Sequence, residues 1–198
     1  MSNLDANYYL KVHIHYGGLQ RSALLRAIGE QLGVETNTRT VPLLVKLQKH
    51  IATMATGKPA VHPVIVVDDA QLLARESLMD LCSLIVCPPQ KSVAASLIIV
   101  GDDMLANQLN LSVMNPIKTR LTVNFPLEPL SEKETEQFVA YRLSHAKAPK
   151  DLFELDAVAL LAAHCHGHRR EIMNVGTLLL SEAYYRKQKT VSAQLFMG

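Results

Sequence analysis

The chain has 198 residues, of which 48% are hydrophobic and 19% are charged, and its formal net charge is +2. This is the composition of an ordinary globular protein with a hydrophobic core, forming one large domain or one domain with a small appendage. The charge is too small to indicate nucleic-acid binding by itself. The sequence also contains no run of 18 apolar residues, and its first ten residues lack the build of a secretory signal.

The cysteine count favours a reducing compartment. Cys82, Cys87 and Cys165 are an odd set in apolar or helical surroundings. We interpret them as reduced thiols, which predicts a cytoplasmic protein.

Strand and helix patterns alternate through the first two thirds of the chain. The apolar periodicity predicts these elements in order: a strand at 8–16, helices at 19–33 and 41–57, a strand at 62–68, a helix from about 76 to 86, and strands at 96–101 and 121–125. Gly33 and Gly57 are expected to end the first two helices, and Pro88 and Pro89 the third.

Apolar strands separated by amphipathic helices predict a parallel sheet covered on both faces. Ligands bind such sheets at the carboxyl ends of the strands. Asp68 and Asp69 follow the run "VIVV", and Asp102 and Asp103 follow "LIIVG". We therefore expect these four carboxylates near a binding site.

The pattern changes after Pro126, where strand periodicity does not return. Ser131 and Glu134 form a capping box, and helices are predicted at about 154–166 and 169–188. We therefore expect an α/β domain over residues 1–128 and a helical domain over 129–198.

Two interpretations of Asp68 and Asp69 are open from the residues alone. Asp68 could hold Mg²⁺, directly or through water, while Asp69 polarises an attacking water. An aspartate after a strand also commonly caps the next helix.

The order of several segments resembles a known family. "DDAQLL", "LIIVGDDMLANQL", "FPLEPLSEKETEQFVAYRL" and "HGHRREIMNVG" follow one another as in AAA+ ATPases of the general secretion pathway protein A type, relatives of the transposition-regulator ATPases. The family pattern runs from Asp-Glu-Ala-Gln, through Val-Gly-Gln-Pro-Glu-Leu and Leu-x-Pro-Leu-Ser, to Gly-x-Pro-Arg. The resemblance covers residues 8–190 and implies a P-loop NTPase-like parallel sheet flanked by helices, with a small all-helical C-terminal lid.

The resemblance also implies roles for five residues. Asp68 matches the Walker B metal residue, and Asp69 stands where the family has a catalytic glutamate, one methylene longer. Asp102 falls at the sensor 1 position, where an amide is usual. Arg120 resembles the arginine finger that a neighbouring subunit presents to the γ-phosphate. Arg170 matches the sensor 2 arginine of Gly-x-Pro-Arg.

One expected motif is missing from the sequence. A P-loop requires G-x-x-x-x-G-K-[ST], but Gly57-Lys58 is followed by Pro59, and Ala52 occupies the first glycine position. In the family this loop precedes the strand predicted at 8–16. We expect either that the segment lies upstream of Met1 or that this is a relative without a nucleotide site. In both cases ATP and Mg²⁺, which the resemblance implies, should bind the isolated chain poorly.

Histidines suggest weaker alternatives. In "HCHGH", residues 164–168, only His164 and His168 have chelating spacing, and Gly167 interrupts the helix between them. The pair His13 and His15 shares one strand face, which is too few ligands for a metal site. We interpret that pair as exposed or as partners between strands.

The leading function hypothesis is a cytoplasmic AAA+ module that couples ATP binding and hydrolysis to oligomerisation and to control of a protein partner in secretion, pilus or transposition machinery. One alternative is a non-catalytic adaptor with the same fold. Another is a DNA-associated regulator, which the small net charge favours little. Direct membrane insertion is not expected.

Overall fold

A computed structural model describes residues 3–15, 18–37, 41–87 and 92–196. The chain divides into two compact units, Met1–Asn124 and Phe125–Gly198. No described helix is long and apolar enough to cross a membrane.

The first unit is an α/β structure. Its elements are β1 (Tyr9–Ile14), α1 (Arg21–Gln31), α2 (Leu43–Thr56), β2 (His62–Val67), α3 (Arg75–Leu84), β3 (Val86–Cys87), β4 (Ser92–Val93), β5 (Ser96–Ile99), α4 (Asp103–Leu109) and α5 (Asn115–Lys118). The predicted helices 19–33 and 41–57 are therefore confirmed with shorter ends. Gly33 follows the first of them with a left-handed φ of 72°. Pro88 and Pro89 lie outside the described residues.

Three strands form a parallel sheet in the order β1-β2-β5. The register pairs His13 with Val66 and Ile14 with Val67 on one side of β2, and Val66 with Ile98 on the other. The β-branched run of β2 occupies the centre, where both its edges are hydrogen-bonded and its residues are buried. The predicted parallel sheet is confirmed.

The helices of this unit share one core with one face of the sheet. Val12, Ile14, Ile65 and Val67 are between 0 and 3% exposed and belong to that core. On the other face, Ile98 of β5 is 45% exposed. On this same face, Val64 and Val66 of β2 are only 6% and 8% exposed, so the second face is covered at the central strand and open at β5.

The predicted strand 121–125 is also wrong. This segment has no strand pairing, and Val123 and Phe125 are 80% and 79% exposed. Alternating apolar residues become a strand only when a neighbouring strand edge accepts their hydrogen bonds, and no described strand does so here. The antiparallel pair β3–β4 and the short helices α4 and α5 were not predicted.

A partly buried ion pair joins α1 to α3. The carboxylate of Asp80 is almost fully buried, and Arg21 donates to it from Nε at 2.5 Å and from Nη2 at 2.8 Å. This hydrogen bond, reinforced by the charge of Asp80, raises the pKa of Arg21. A bidentate contact of this kind fixes the start of α1 against the third helix.

The second unit is helical around its own core. Its helices are α6 (Glu132–His145), α7 (Leu155–Cys165) and α8 (Arg169–Tyr185). Phe153, Leu161, Ile172 and Leu179 lie in the core between them. Beyond residue 150, the only strand-like pairing among the described residues is an isolated bridge between Phe153 and Val191.

The predicted capping box of α6 is present. Glu134 N–H donates to Ser131 Oγ, while Ser131 N–H and Oγ–H donate to Glu134 Oε2 at 2.9 and 2.7 Å. These hydrogen bonds from Ser131, with a smaller contribution from Arg169, lower the pKa of Glu134 below its ordinary value of 4.5. A carboxylate with a lowered pKa stabilises the fold above the ordinary value, and that contribution is lost as the pH falls through the folded pKa.

Ser131→Ala should therefore destabilise the second unit more at pH 7 than at a pH below the pKa of folded Glu134. Urea unfolding at both pH values, with the Glu134 carboxyl titration followed by NMR, measures this difference. Ser144→Ala, at an exposed serine in the last turn of the same helix, is the control and should show no such pH dependence. An equal loss of stability at both pH values would contradict the role of the ionised Glu134.

Candidate functional site

The carboxyl ends of β2 and β5 form one edge of the sheet. Val100 N–H donates to Val67 O at 2.9 Å, and Ala70 N–H donates back to Val100 O at 2.9 Å. The loops that carry Asp68 and Asp102 are therefore tied together by backbone hydrogen bonds. This arrangement follows from parallel pairing, which places the ends of neighbouring strands together.

Asp68 is held by its own turn and by β1. Its backbone N–H donates to Ile14 O at 2.9 Å, and its Oδ1 accepts from Asp69 N–H at 3.0 Å. Its Oδ2 lies 3.4 Å from His15 Nδ1, and about a third of the side chain is exposed. Oδ1 is thus held by the turn, whereas Oδ2 faces His15 and accepts no hydrogen bond from the turn.

Asp69 does not cap a helix. It precedes the 3₁₀ turn Ala70–Leu72 without a side-chain capping hydrogen bond, and its φ of 52° is left-handed. Aspartate tolerates this conformation better than most residues. The turn directs its exposed carboxylate toward Gln71, whose Nε2 lies 3.3 Å from Asp69 Oδ1.

Sequence reasoning assigned no role to Gln71. Its Oε1 is buried and has no hydrogen-bond partner among the described residues. The same atom lies 2.9 Å from the place where a Cβ on Gly101 would stand, so a side chain at 101 would collide with it. A sequence signal for Gln71 was present, because the last residue of "DDAQ" matches the glutamine of the family pattern Asp-Glu-Ala-Gln.

Asp102 caps α4. Its Oδ1 accepts from Met104 N–H at 2.9 Å at the start of the helix. One carboxylate oxygen is therefore engaged in a local role that sequence reasoning did not assign. The sensor 1 assignment stays a prediction.

Arg120 lies two residues beyond α5 and is exposed. It forms no ion pair with any described residue. Its charge partly offsets the effect of burial, which raises the pKa of the Cys82 thiol. Cys82 and Cys165 are both free and buried.

Arg170 lies in the first turn of α8 in the second unit. It is exposed and has no ion pair within the described part of the chain. Arg169, beside it, donates to Glu128 O at 3.4 Å. The sensor 2 role of Arg170 stays a prediction.

The turn before Arg170 depends on Gly167. This residue has a φ of 75°, and its carbonyl accepts from Leu130 N–H at 3.0 Å. A Cβ on Gly167 would stand 2.0 Å from Leu130 O. The glycine is therefore required both by its conformation and by the close approach of the backbone at Leu130.

The cluster "HCHGH" offers no metal site among the described residues. Cys165 is buried in the core, and His164 contacts the edge of the Phe196 ring, with ring centroids 6.5 Å apart. The three-ligand group that the described residues do form consists of His13, His15 and Asp68. The expected exposure of His13 and His15 is confirmed, and Asp68, which follows β2, adds a third possible ligand that sequence reasoning did not count.

A family model described as an AAA domain matches residues 2–109, more than half of the chain. The chain belongs to the AAA domain family. None of the curated proteins matches the sequence.

Solved structures share the fold of this AAA chain at low identity. Cdc6p from Pyrobaculum aerophilum is 16% identical with a TM-score of 0.65, over 93% of this chain and 50% of that chain. The ADP form of the Aeropyrum pernix ORC2 protein is 13% identical with a TM-score of 0.67, over 95% and 51%. The RuvB Holliday junction branch migration motor of Thermotoga maritima is 15% identical with a TM-score of 0.55, over 96% and 59%.

These likenesses confirm the predicted AAA+, P-loop NTPase-like fold with its helical C-terminal part. The chain spans about half of the Cdc6p and ORC2 structures and about three fifths of RuvB. The activity and partners of a whole protein therefore belong to the proposal below.

The residues present fit one part of what an AAA+ site requires. Mg²⁺ is commonly held by one or two carboxylates, with water and phosphates completing its shell, and Oδ2 of Asp68 suits this role. The phosphate groups need a cradle of backbone N–H groups and a lysine. Gly57, the only glycine followed by lysine, instead ends α2 in an extended conformation, and Pro59 follows that lysine. The residues of this chain therefore suit a bound Mg²⁺ ion but do not form a cradle for the triphosphate of ATP.

The turn at Gly167 yields a test. Gly167→Ala should cost about 2–6 kcal/mol of stability in the second unit, because left-handed strain adds to a backbone collision. Gly33→Ala is the matched control: its φ of 72° is similar, but its Cβ would meet nothing within 4 Å, so about 1–2 kcal/mol is expected. Urea unfolding measures both variants, with hydrogen exchange of α6–α8 for Gly167→Ala and of α1 for Gly33→Ala, and equal costs would contradict the close packing at Leu130.

Proposed function

We propose that this chain forms the Walker B, sensor and lid portion of an AAA+ ATPase of the secretion pathway protein A and transposition-regulator type. In the cytoplasm it would work as an oligomer, using ATP to control its grip on a protein partner. The observation that carries the proposal is the edge of the sheet at which Asp68, Asp69, Gln71 and Asp102 are gathered. The family match and the shared fold support it.

Each residue then has a distinct task. Asp68 holds the metal through its Oδ2, directly or through water, and Asp69 orients the attacking water. Asp102 occupies the sensor 1 position, Arg170 acts as sensor 2, and Arg120 reaches the γ-phosphate bound to a neighbouring subunit. Mg²⁺, when bound, supplies charge neutralisation at the β- and γ-phosphates.

The free state of both arginines supports these tasks. An arginine finger binds phosphate oxygens in place of water. A guanidinium that is paired with a carboxylate would first have to break that ion pair. Neither Arg120 nor Arg170 has such a partner among the described residues.

A non-catalytic adaptor is the second candidate. The missing G-x-x-x-x-G-K-[ST] motif and the aspartate in place of the catalytic glutamate favour it. A carboxylate one methylene shorter holds water at a different distance, and displacements near 1 Å can cost about 100-fold in rate.

Chain 1–198 should show no appreciable ATP hydrolysis, because it lacks the phosphate cradle. When a segment carrying G-x-x-x-x-G-K-T is joined ahead of Met1, hydrolysis should appear, and Asp68→Asn should reduce it at least 100-fold. Asp103→Asn, at the same edge but outside the proposed metal position, is the control. The rate of phosphate release measures ATP hydrolysis by all four proteins, which are chain 1–198, the joined protein and its two variants. Hydrolysis by chain 1–198 that Asp68→Ala abolishes would contradict the need for the cradle, and an inactive joined protein would favour the adaptor.

The arginine finger has its own test in the joined protein. Arg120→Ala and Asp68→Ala subunits should each be inactive alone. Mixing them should restore part of the hydrolysis, because an intact Arg120 then faces an intact Asp68 across an interface. An inactive mixture beside an active parent would contradict this role of Arg120.

A further inference from the structure

We propose that His13, His15 and Asp68 form a binding site for a divalent transition-metal ion of the Zn²⁺ class. One ring nitrogen from each histidine and one carboxylate oxygen of Asp68 all lie within 4.8 Å of one another. The site differs in ligand chemistry from the all-oxygen shell that Mg²⁺ prefers. Two imidazoles and one carboxylate instead select Zn²⁺, Co²⁺, Ni²⁺ or Cu²⁺.

The strands bring these ligands together. His13 and His15 are two residues apart, so both side chains stand on one face at the end of β1. The register pairs His13 with Val66, and therefore Asp68, the residue that follows β2, comes beside His15. Each ligand thus rests on an ordered backbone at a strand end.

The distances require only small side-chain rotations. With Zn–N and Zn–O bonds of about 2.0–2.2 Å, neighbouring ligand atoms of a tetrahedral site lie about 3.3 Å apart. His15 Nδ1 and Asp68 Oδ2 are already 3.4 Å apart. The rings of His13 and His15 have centroids 5.9 Å apart and planes inclined by 40°. Both rings are exposed, so no packed neighbour prevents them from turning toward a shared ion.

Second contacts orient the ligands. Gln31 of α1 clamps the peptide of His13: its Oε1 accepts from His13 N–H, and its Nε2 donates to His13 O, both at 2.9 Å. Asp69 N–H occupies Oδ1 of Asp68, which leaves Oδ2 for the metal. Such outer contacts raise metal affinity by limiting what the ligands must reorganise. Three protein ligands also leave a fourth position for water, as in open zinc sites.

A bound transition-metal ion and a magnesium nucleotide would exclude each other, since both use Asp68. This consequence rests on the proposed function. Metal binding itself does not, because chain 1–198 can be titrated without nucleotide.

Isothermal titration of Zn²⁺ into untagged chain 1–198, with Co²⁺ absorption as an optical probe, tests the site. We expect one ion per chain. His13→Ala, His15→Ala and Asp68→Asn should each weaken binding more than 10-fold, because loss even of outer-shell partners costs about 10- to 100-fold. His62→Ala, on the neighbouring strand, and His164→Ala are controls that should bind as the parent does. Thermal unfolding of metal-free His13→Ala and His15→Ala should be unchanged, since both side chains are exposed.

Two results would overturn the proposal. One is the absence of Zn²⁺ binding by the folded chain. The other is binding that survives His13→Ala and His15→Ala but is lost in His164→Ala or His168→Ala, which would place the ion at the second histidine cluster.

Discussion

The parallel register of β1, β2 and β5 is the constraint on which the rest of the first unit depends. Hydrogen bonding fixes His13 opposite Val66 and Val66 opposite Ile98. All three strands therefore end at one edge, and the residues that follow them must meet there. The core on one face holds this register, because a slip by one residue would turn Ile65 and Val67 away from the helices.

Sequence periodicity could predict the elements that are specified locally. The run Val64–Val67 and the spacing of Leu24, Leu25 and Ile28 carry their own signal, and the structure confirms both. The segment 121–125 has equally good strand residues, but a strand also needs a neighbour that is distant in sequence. Its exposed Phe125 shows that side-chain pattern alone did not determine pairing.

The candidate site was predictable to the same extent. The positions of Asp68 and Asp102 after parallel strands could be predicted from the alternation of strand and helix patterns. The cap made by Asp102 could not, because α4 is too short to give a periodic pattern of apolar residues. The metal group was missed because His15 and Asp68 are 53 positions apart and meet only through the register. The nearness of Gln71 Oε1 to Gly101 likewise arises only in the folded chain, because the two residues are far apart in sequence.

The carboxylate of Asp68 is therefore a ligand in both of the proposed cation sites. Asp69 N–H binds Oδ1 of Asp68, and Oδ2 of the same carboxylate lies beside His15. A hard ion with phosphates would use that oxygen with water, and a softer ion would use it with the imidazoles. Both proposals place the cation at this edge of the sheet.

Paramagnetic broadening by Mn²⁺ tests this claim most directly, because Mn²⁺ binds carboxylate sites and reports its position through nearby amide signals. Substoichiometric Mn²⁺ added to ¹⁵N-labelled chain 1–198 should broaden the amides of residues 68–71 and of Gly101 first. Asp68→Asn should remove that broadening, and Asp103→Asn should leave it in place. Broadening centred on Glu154 and Asp156 of the second unit, with residues 68–71 unaffected, would contradict the account.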